Sequence, residues 1–132
     1  MTRTHSLTML LSVACGGALG AVFRHVVTSV VGHWFGHGFP FGTLVVNVAG
    51  SFVLGALVET MALVWSPAPE IRASIVVGVL GAFTTFSTFS LDAYSLLAKK
   101  DYPAAGFYVF GSVFLGLAAF VAGLTVMRRL LS

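Results

Sequence analysis

Charge is the scarcest property of this chain. Of 132 residues, seven are Lys or Arg and four are Asp or Glu, 8% in all, where an ordinary soluble domain carries about a quarter. So small a fold has a large surface for its volume and needs polar groups to cover it. Eleven charges do not suffice, which excludes a soluble enzyme or binding domain. With 58% hydrophobic residues, a disordered segment is excluded as well. Cysteine is scarcer still: Cys15 stands alone, so no internal disulfide can form and a disulfide-stapled secreted domain is excluded. The basic residues form no patch suited to nucleic acid. No metal-ligand cluster, activated nucleophile or phosphate-binding glycine loop is present, and no enzyme is expected.

What the chain has in quantity is apolar length. Mean hydropathy is +1.00, and four stretches, at about residues 7–31, 43–65, 71–97 and 104–127, approach or exceed the 20 or so apolar residues that cross a bilayer. The linkers, at 33–40, 66–70 and 99–103, are short. Trp34, Trp65 and Tyr102 fall at span ends, where aromatic anchors belong. His5, His33 and His37 lie in the tail and first linker, and His25 near the end of the first span, all at interfacial positions. The expectation is an all-α membrane protein, one four-helix transmembrane domain over residues 1–132. So little lies outside the bilayer that its function must run through it.

Arg3 before an apolar run resembles the start of a secretory signal, and Ala14-Cys15 faintly resembles a lipoprotein cleavage site. Ser12 stands where a bulky aliphatic residue is usual, so the first span is expected to be kept. Four spans put both termini on one side with the second linker. That side carries Arg3, Arg72, Arg128 and Arg129, against Lys99, Lys100 and the partly embedded Arg24 on the other. Positive residues normally set orientation, and here the bias is weak. It is compatible with a single orientation, termini inside, or with insertion both ways and an antiparallel dimer.

Small residues line several spans. Gly16 with Gly20 and Gly17 with Ala21 form overlapping small-xxx-small spacings, and Gly50, Gly55, Gly111, Gly116 and Gly123 follow. Such residues let helix backbones approach in lipid, predicting a tight bundle. Four helices of one copy would struggle to shield a polar path, so an oligomer is expected.

Buried polarity is costly in a membrane and carries the functional signal. Thr43, Asn47 and Ser51 recur every four residues and form a polar stripe on one face of the second span. The Asn47 amide suits either an anion, as a substitute for water, or an interhelical hydrogen bond. In the third span, Gly78 and Gly81 precede five hydroxyl residues among Thr84–Ser90. That composition suits a helix broken near Gly81–Thr85, tolerated where it is buried in protein or faces water; the alternative is a continuous helix whose hydroxyls bond back one turn. Phe86 and Phe89 share a face beyond that point. Their positive ring edges could attract an anion, or the rings could be packing alone.

Taken together, Gly16-Gly17-x-x-Gly20-Ala21-x-x-Arg24, Gly42-Thr43-Leu44-Val45-Val46-Asn47-Val48-x-Gly50-Ser51-Phe52 and Thr84-Thr85-Phe86-Ser87-Thr88-Phe89-Ser90 resemble the Fluc (CrcB) fluoride channel family, over essentially the whole chain. The resemblance implies an antiparallel, dual-topology homodimer in the cell inner (plasma) membrane. Two antiparallel pores would passively export fluoride from the cytoplasm. It implies Asn47, Phe86 and Phe89 in the pore, a hydroxyl track at Ser87 and Thr88, Thr43 toward one mouth, and Tyr108 with Ser112 in the fourth span. Arg24 would stand near an aqueous vestibule, although a side chain snorkelling to the interface is the plain alternative. A structural sodium ion would be held by the backbone carbonyls of Gly81 and Thr84 at the breaks of two third spans. The chain departs from the family pattern at Ala82, where a second glycine is usual, and at Asp92, where glutamate is. The alternative of a proton-coupled small multidrug exporter would require a membrane-embedded glutamate in the first span, which has none; Glu59 lies near the end of the second.

Overall fold

The computed structural model describes residues 5–132, so the Arg3 of the charge count lies outside the described residues. It has four helical stretches long and apolar enough to cross a membrane: Leu7–Phe35, Phe41–Leu63, Pro69–Ala98 and Tyr102–Leu131. Three are single helices: α1 (Leu7–Phe35), α2 (Phe41–Leu63) and, last in the chain, α6 (Tyr102–Leu131). The third stretch is composite. It runs through α3 (Pro69–Ala73), a π-helical segment (Ser74–Leu80), α4 (Gly81–Phe83) and α5 (Phe86–Ala98).

The ends follow local chemistry. The Ser6 hydroxyl accepts from the Met9 N–H at 3.2 Å and opens α1. Gly36, at φ +80, closes it, a left-handed conformation that suits glycine. Asp101 caps α6 through the Ala104 N–H at 3.4 Å. The α1 helix runs to Phe35, four residues past the expected end of the first span, so Trp34 sits on its last turn and is largely exposed.

Glycines set the closest helix contacts. A Cβ on Gly16 would collide with the Ser74 carbonyl oxygen, and one on Gly20 with that of Val79. From the other side, a Cβ on Gly78 would come within 2.8 Å of the Val13 carbonyl oxygen. This seam joins α1 to the π segment backbone to backbone. Gly17, by contrast, has nothing within 4 Å of its would-be Cβ. Of the two overlapping small-residue spacings in α1, the chain itself uses only the one that begins at Gly16. A second seam joins α2 to α6, where Gly55 meets the Phe120 carbonyl oxygen and Gly123 that of Phe52. One turn further along it, Arg128 Nε donates to Glu59 Oε1 at 2.7 Å and a terminal guanidinium nitrogen to Oε2 at 3.3 Å. Glu59 is buried; Arg128 reaches it from an exposed position.

Candidate functional site

At the centre of the third stretch, the helical path is interrupted by two residues with extended backbone, Thr84 (φ −86, ψ 161) and Thr85 (φ −154, ψ 123). Gly50 of α2 makes this approach possible. A Cβ there would collide with the Thr84 methyl group and come within 3.3 Å of the Phe83 ring. Three residues earlier on α2, Asn47 reaches the same segment with both ends of its amide. Its Oδ1 accepts the Thr85 N–H at 2.7 Å and its Nδ2 donates to the Thr85 carbonyl at 3.0 Å. A primary amide can mimic a peptide partner in this way, satisfying backbone groups that a continuous helix would have paired.

The Thr85 hydroxyl then opens α5. It accepts the Thr88 N–H at 3.2 Å, lies 3.2 Å from the Thr88 hydroxyl and is 3.4 Å from that of Ser87. These bonds divert two donors. In a regular helix the Thr85 N–H would serve the Gly81 carbonyl and the Thr88 N–H that of Thr84. Here the first goes to Asn47 and the second to the Thr85 side chain. The Gly81 and Thr84 carbonyl oxygens, the pair that the family resemblance implies, thus lose their regular helical donors. A Cβ on Gly81 would make only an ordinary van der Waals contact, with the Val76 carbonyl oxygen at 3.7 Å.

The polar stripe of α2 divides its attention among three partners. Thr43 donates to Asp92 Oδ2 at 2.7 Å, Asn47 holds Thr85, and Ser51 bonds back to the Asn47 carbonyl at 2.7 Å. Tyr108, wholly buried on α6, donates to the same Asp92 oxygen at 3.0 Å. Asp92 is therefore a hub that joins α2, α5 and α6. The signal for it was an acid inside an apolar stretch, which must find donors or lose its charge. Its donors are far away in sequence, so the pairing was not legible there. Thr85 was missed for a similar reason: its importance lies in its backbone, not in its residue type.

Asn47, Thr85, Phe86, Phe89 and Ser112 border one open concavity of about 520 Å³ between α2, α6 and the interrupted stretch. The Phe86 ring is 79% exposed and lies 5.5 Å, centroid to centroid, from that of Phe89. The Ser112 hydroxyl oxygen is buried and has no hydrogen-bond partner among the described residues. Thr43 and Tyr108 stand behind this wall, directed at Asp92. Arg24 is partly buried on α1 and does not border the concavity. Glu59, the acid an exporter would need to keep free, is engaged by Arg128 on the α2–α6 seam.

The comparisons with known proteins agree along nearly the whole chain. Residues 11–124 match the family model described as CrcB-like protein, Camphor Resistance (CrcB). A protein of Rhodospirillum centenum named fluoride-specific ion channel FluC is 48% identical over 122 residues, 92% of this chain and 97% of the relative. The like-named protein of Nitrobacter winogradskyi is 44% identical over 121 residues, with 92% and 96% covered. That of Agrobacterium fabrum is 47% identical over 118 residues, with 89% and 94% covered. On the length of the family match and on these identities, the chain belongs to the CrcB-like family of multi-pass membrane proteins.

Proposed function

We propose that this protein is a fluoride-selective channel, not an enzyme, that lets fluoride leave the cytoplasm passively across the inner membrane and so confers fluoride resistance. The observation that carries the reading is the concavity itself. It combines an exposed phenyl ring at Phe86, a buried Ser112 hydroxyl and a non-helical backbone braced by Asn47; among the described residues that hydroxyl has no partner and the wall carries no fixed charge. The names of close relatives point the same way.

Fluoride is small and tightly hydrated, so a selective path must replace its water with close-fitting donors. In the concavity the Ser112 hydroxyl and the positive edges of Phe86 and Phe89 are weak to moderate donors for this purpose; the Ser87 and Thr88 hydroxyls do not border it and would extend the track beyond it. A buried ammonium or guanidinium would trap the ion, whereas conduction requires that each site release it. The Asn47 amide spends one donor and its acceptor on Thr85, so its first role is to brace the interruption; its second N–H can face the ion. Thr43 and Tyr108, tied to Asp92, set the wall behind the path. Arg24 draws the anion toward a vestibule electrostatically.

One chain leaves Phe86 uncovered and the concavity open, which favours a pore completed by a second copy; an antiparallel partner, as the family resemblance implies, would give two pores per dimer. The Gly81 and Thr84 carbonyls, without their regular helical donors, suit a hard cation such as sodium. Two copies would offer four oxygens, and the ion would offset the carbonyl dipoles where the two interruptions meet.

The test is efflux from liposomes holding purified protein, with a potassium gradient clamped by valinomycin. Fluoride should be released and chloride retained. Absence of fluoride release sinks the reading, and proton-coupled movement of a cationic drug would replace it with the exporter.

A further inference from the structure

Phe39 belongs to the linker between α1 and α2, outside every apolar stretch, and the proposed ion path does not use it. Its ring nevertheless packs into the fold. Leu96, Ala105 and Tyr108 form a buried hydrophobic cluster, and Phe39 closes it from the linker side while Phe89 closes it from the α5 side. Tyr108 stands between the two rings. Its centroid is 5.6 Å from that of Phe39 with planes at 64°, and 5.3 Å from that of Phe89 with planes at 71°. Both are the edge-to-face arrangement that aromatic quadrupoles favour. Beyond Phe89 comes Phe86, at 5.5 Å. Phe39 also meets Phe41 at 4.8 Å, and Phe41 meets Phe35 at 5.7 Å, so a continuous series of rings runs from the end of α1 through Phe39 to the concavity.

The constraint on this series is unusual at its centre. The Tyr108 hydroxyl is held by Asp92 at 3.0 Å, and its ring packs against both Phe39 and Phe89. Removing Phe39 removes one of these contacts and opens the cluster toward the linker. Tyr108 then gains room, and Phe89 loses the fixed surface that sets its tilt. Phe86, 79% exposed, has Phe89 as its ring neighbour and follows it. A ring edge attracts an anion only while it is aimed, so small rotations matter.

We infer that Phe39 is a positioning residue of the ion path: a linker side chain that holds Tyr108 and, through it, the orientation of Phe89 and Phe86. The inference rests on the reading of those two rings as fluoride-facing. Bulk at position 39 is what the role requires, so the effect should grade with side-chain size.

The full-length protein is reconstituted at fewer than one channel per vesicle. The emptying rate then reports the throughput of single channels, and the fraction of vesicles that empty reports folded protein. Phe39→Leu, Phe39→Val and Phe39→Ala should lower the fluoride rate per channel in that order, with the alanine variant down by about tenfold or more. Phe114→Ala serves as the control, because Phe114 on α6 is 69% exposed and, among the described residues, has no ring contact with the series and does not border the concavity; its rate should match that of the parent. A series in which only the emptying fraction falls, at constant rate per channel, marks Phe39 as mere packing and overturns the inference. So does a rate that is the same for every variant that folds. If alanine prevents folding, the leucine and valine variants decide. A parent protein that empties no vesicle overturns the channel reading along with the inference, whereas a conducting parent with insensitive variants overturns the inference alone.

Discussion

Asn47→Ala removes both bonds that hold Thr85, and the cost follows from the geometry. The Thr85 N–H loses an acceptor at 2.7 Å and its carbonyl loses a donor at 3.0 Å. Thr85 is 9% exposed, so water does not freely replace either partner. An orphaned buried polar group costs about 1–3 kcal/mol in proteins generally, and side-chain bonds within membranes fall toward the lower end, so the pair together should cost about 2–4 kcal/mol. Ser51→Ala is the matched control: its hydroxyl bonds back to the Asn47 carbonyl one turn away, and its loss should stay within about 0.5 kcal/mol. The assay is unfolding in a detergent–SDS titration followed by Trp fluorescence, with amide hydrogen exchange read at Thr85. Asn47→Ala should lower the unfolding free energy by the stated amount and speed exchange at that amide above all others. Fluoride throughput should fall with it, because the α5 N-terminus that carries Phe86 loses its anchor. If the titration midpoint and the Thr85 exchange rate both match the parent, the amide does not brace the interruption, and the argument built on it is wrong.

Two further outcomes follow from the packing and from the polar hub. Gly16→Ala should cost about 1–3 kcal/mol, because its methyl group meets the Ser74 carbonyl across a backbone seam, whereas Gly106→Ala, with open space around it, should be neutral or stabilise α6 by up to about 1 kcal/mol; thermal unfolding of the two variants in one detergent compares them directly. Asp92→Ala strands the Thr43 and Tyr108 hydroxyls and should cost about 1–3 kcal/mol for each. Asp92→Asn keeps an acceptor oxygen and should recover most of that stability, which an SDS titration of both variants would check.

The fold class was legible because it depends on composition and run length. Four apolar stretches separated by short linkers are visible without any contact information, and hydropathy reads them directly. Glycine spacing announced close helix approach, but not which face is used. Gly16 and Gly17 are neighbours with the same small-residue pattern, yet a Cβ on the first would press on Ser74 and a Cβ on the second would meet nothing within 4 Å. The polar stripe was visible at Thr43, Asn47 and Ser51, and its period placed all three on one face. Their partners were not visible, since Asp92 and Thr85 lie 49 and 38 residues away along the chain. Phe39 carries no signal of its role, since it stands in a linker and its contact with Tyr108 joins residues far apart along the chain.

By itself, then, the sequence determined the solvent, the number of apolar helices and the chemistry available to an ion: neutral amide, hydroxyls and phenyl rings, with charge kept toward the ends. These follow from what lipid tolerates residue by residue, so no folded geometry is needed to read them. The tertiary structure decided which of those groups are spent on one another and which stay free. Asn47 turns most of its amide to the Thr85 backbone, Thr43 and Tyr108 converge on Asp92, and the Ser112 hydroxyl has no partner among the described residues. Hydrogen bonding is short-ranged and directional, so these assignments depend on helix faces meeting within about 3 Å. No periodicity along a single chain encodes such a distance.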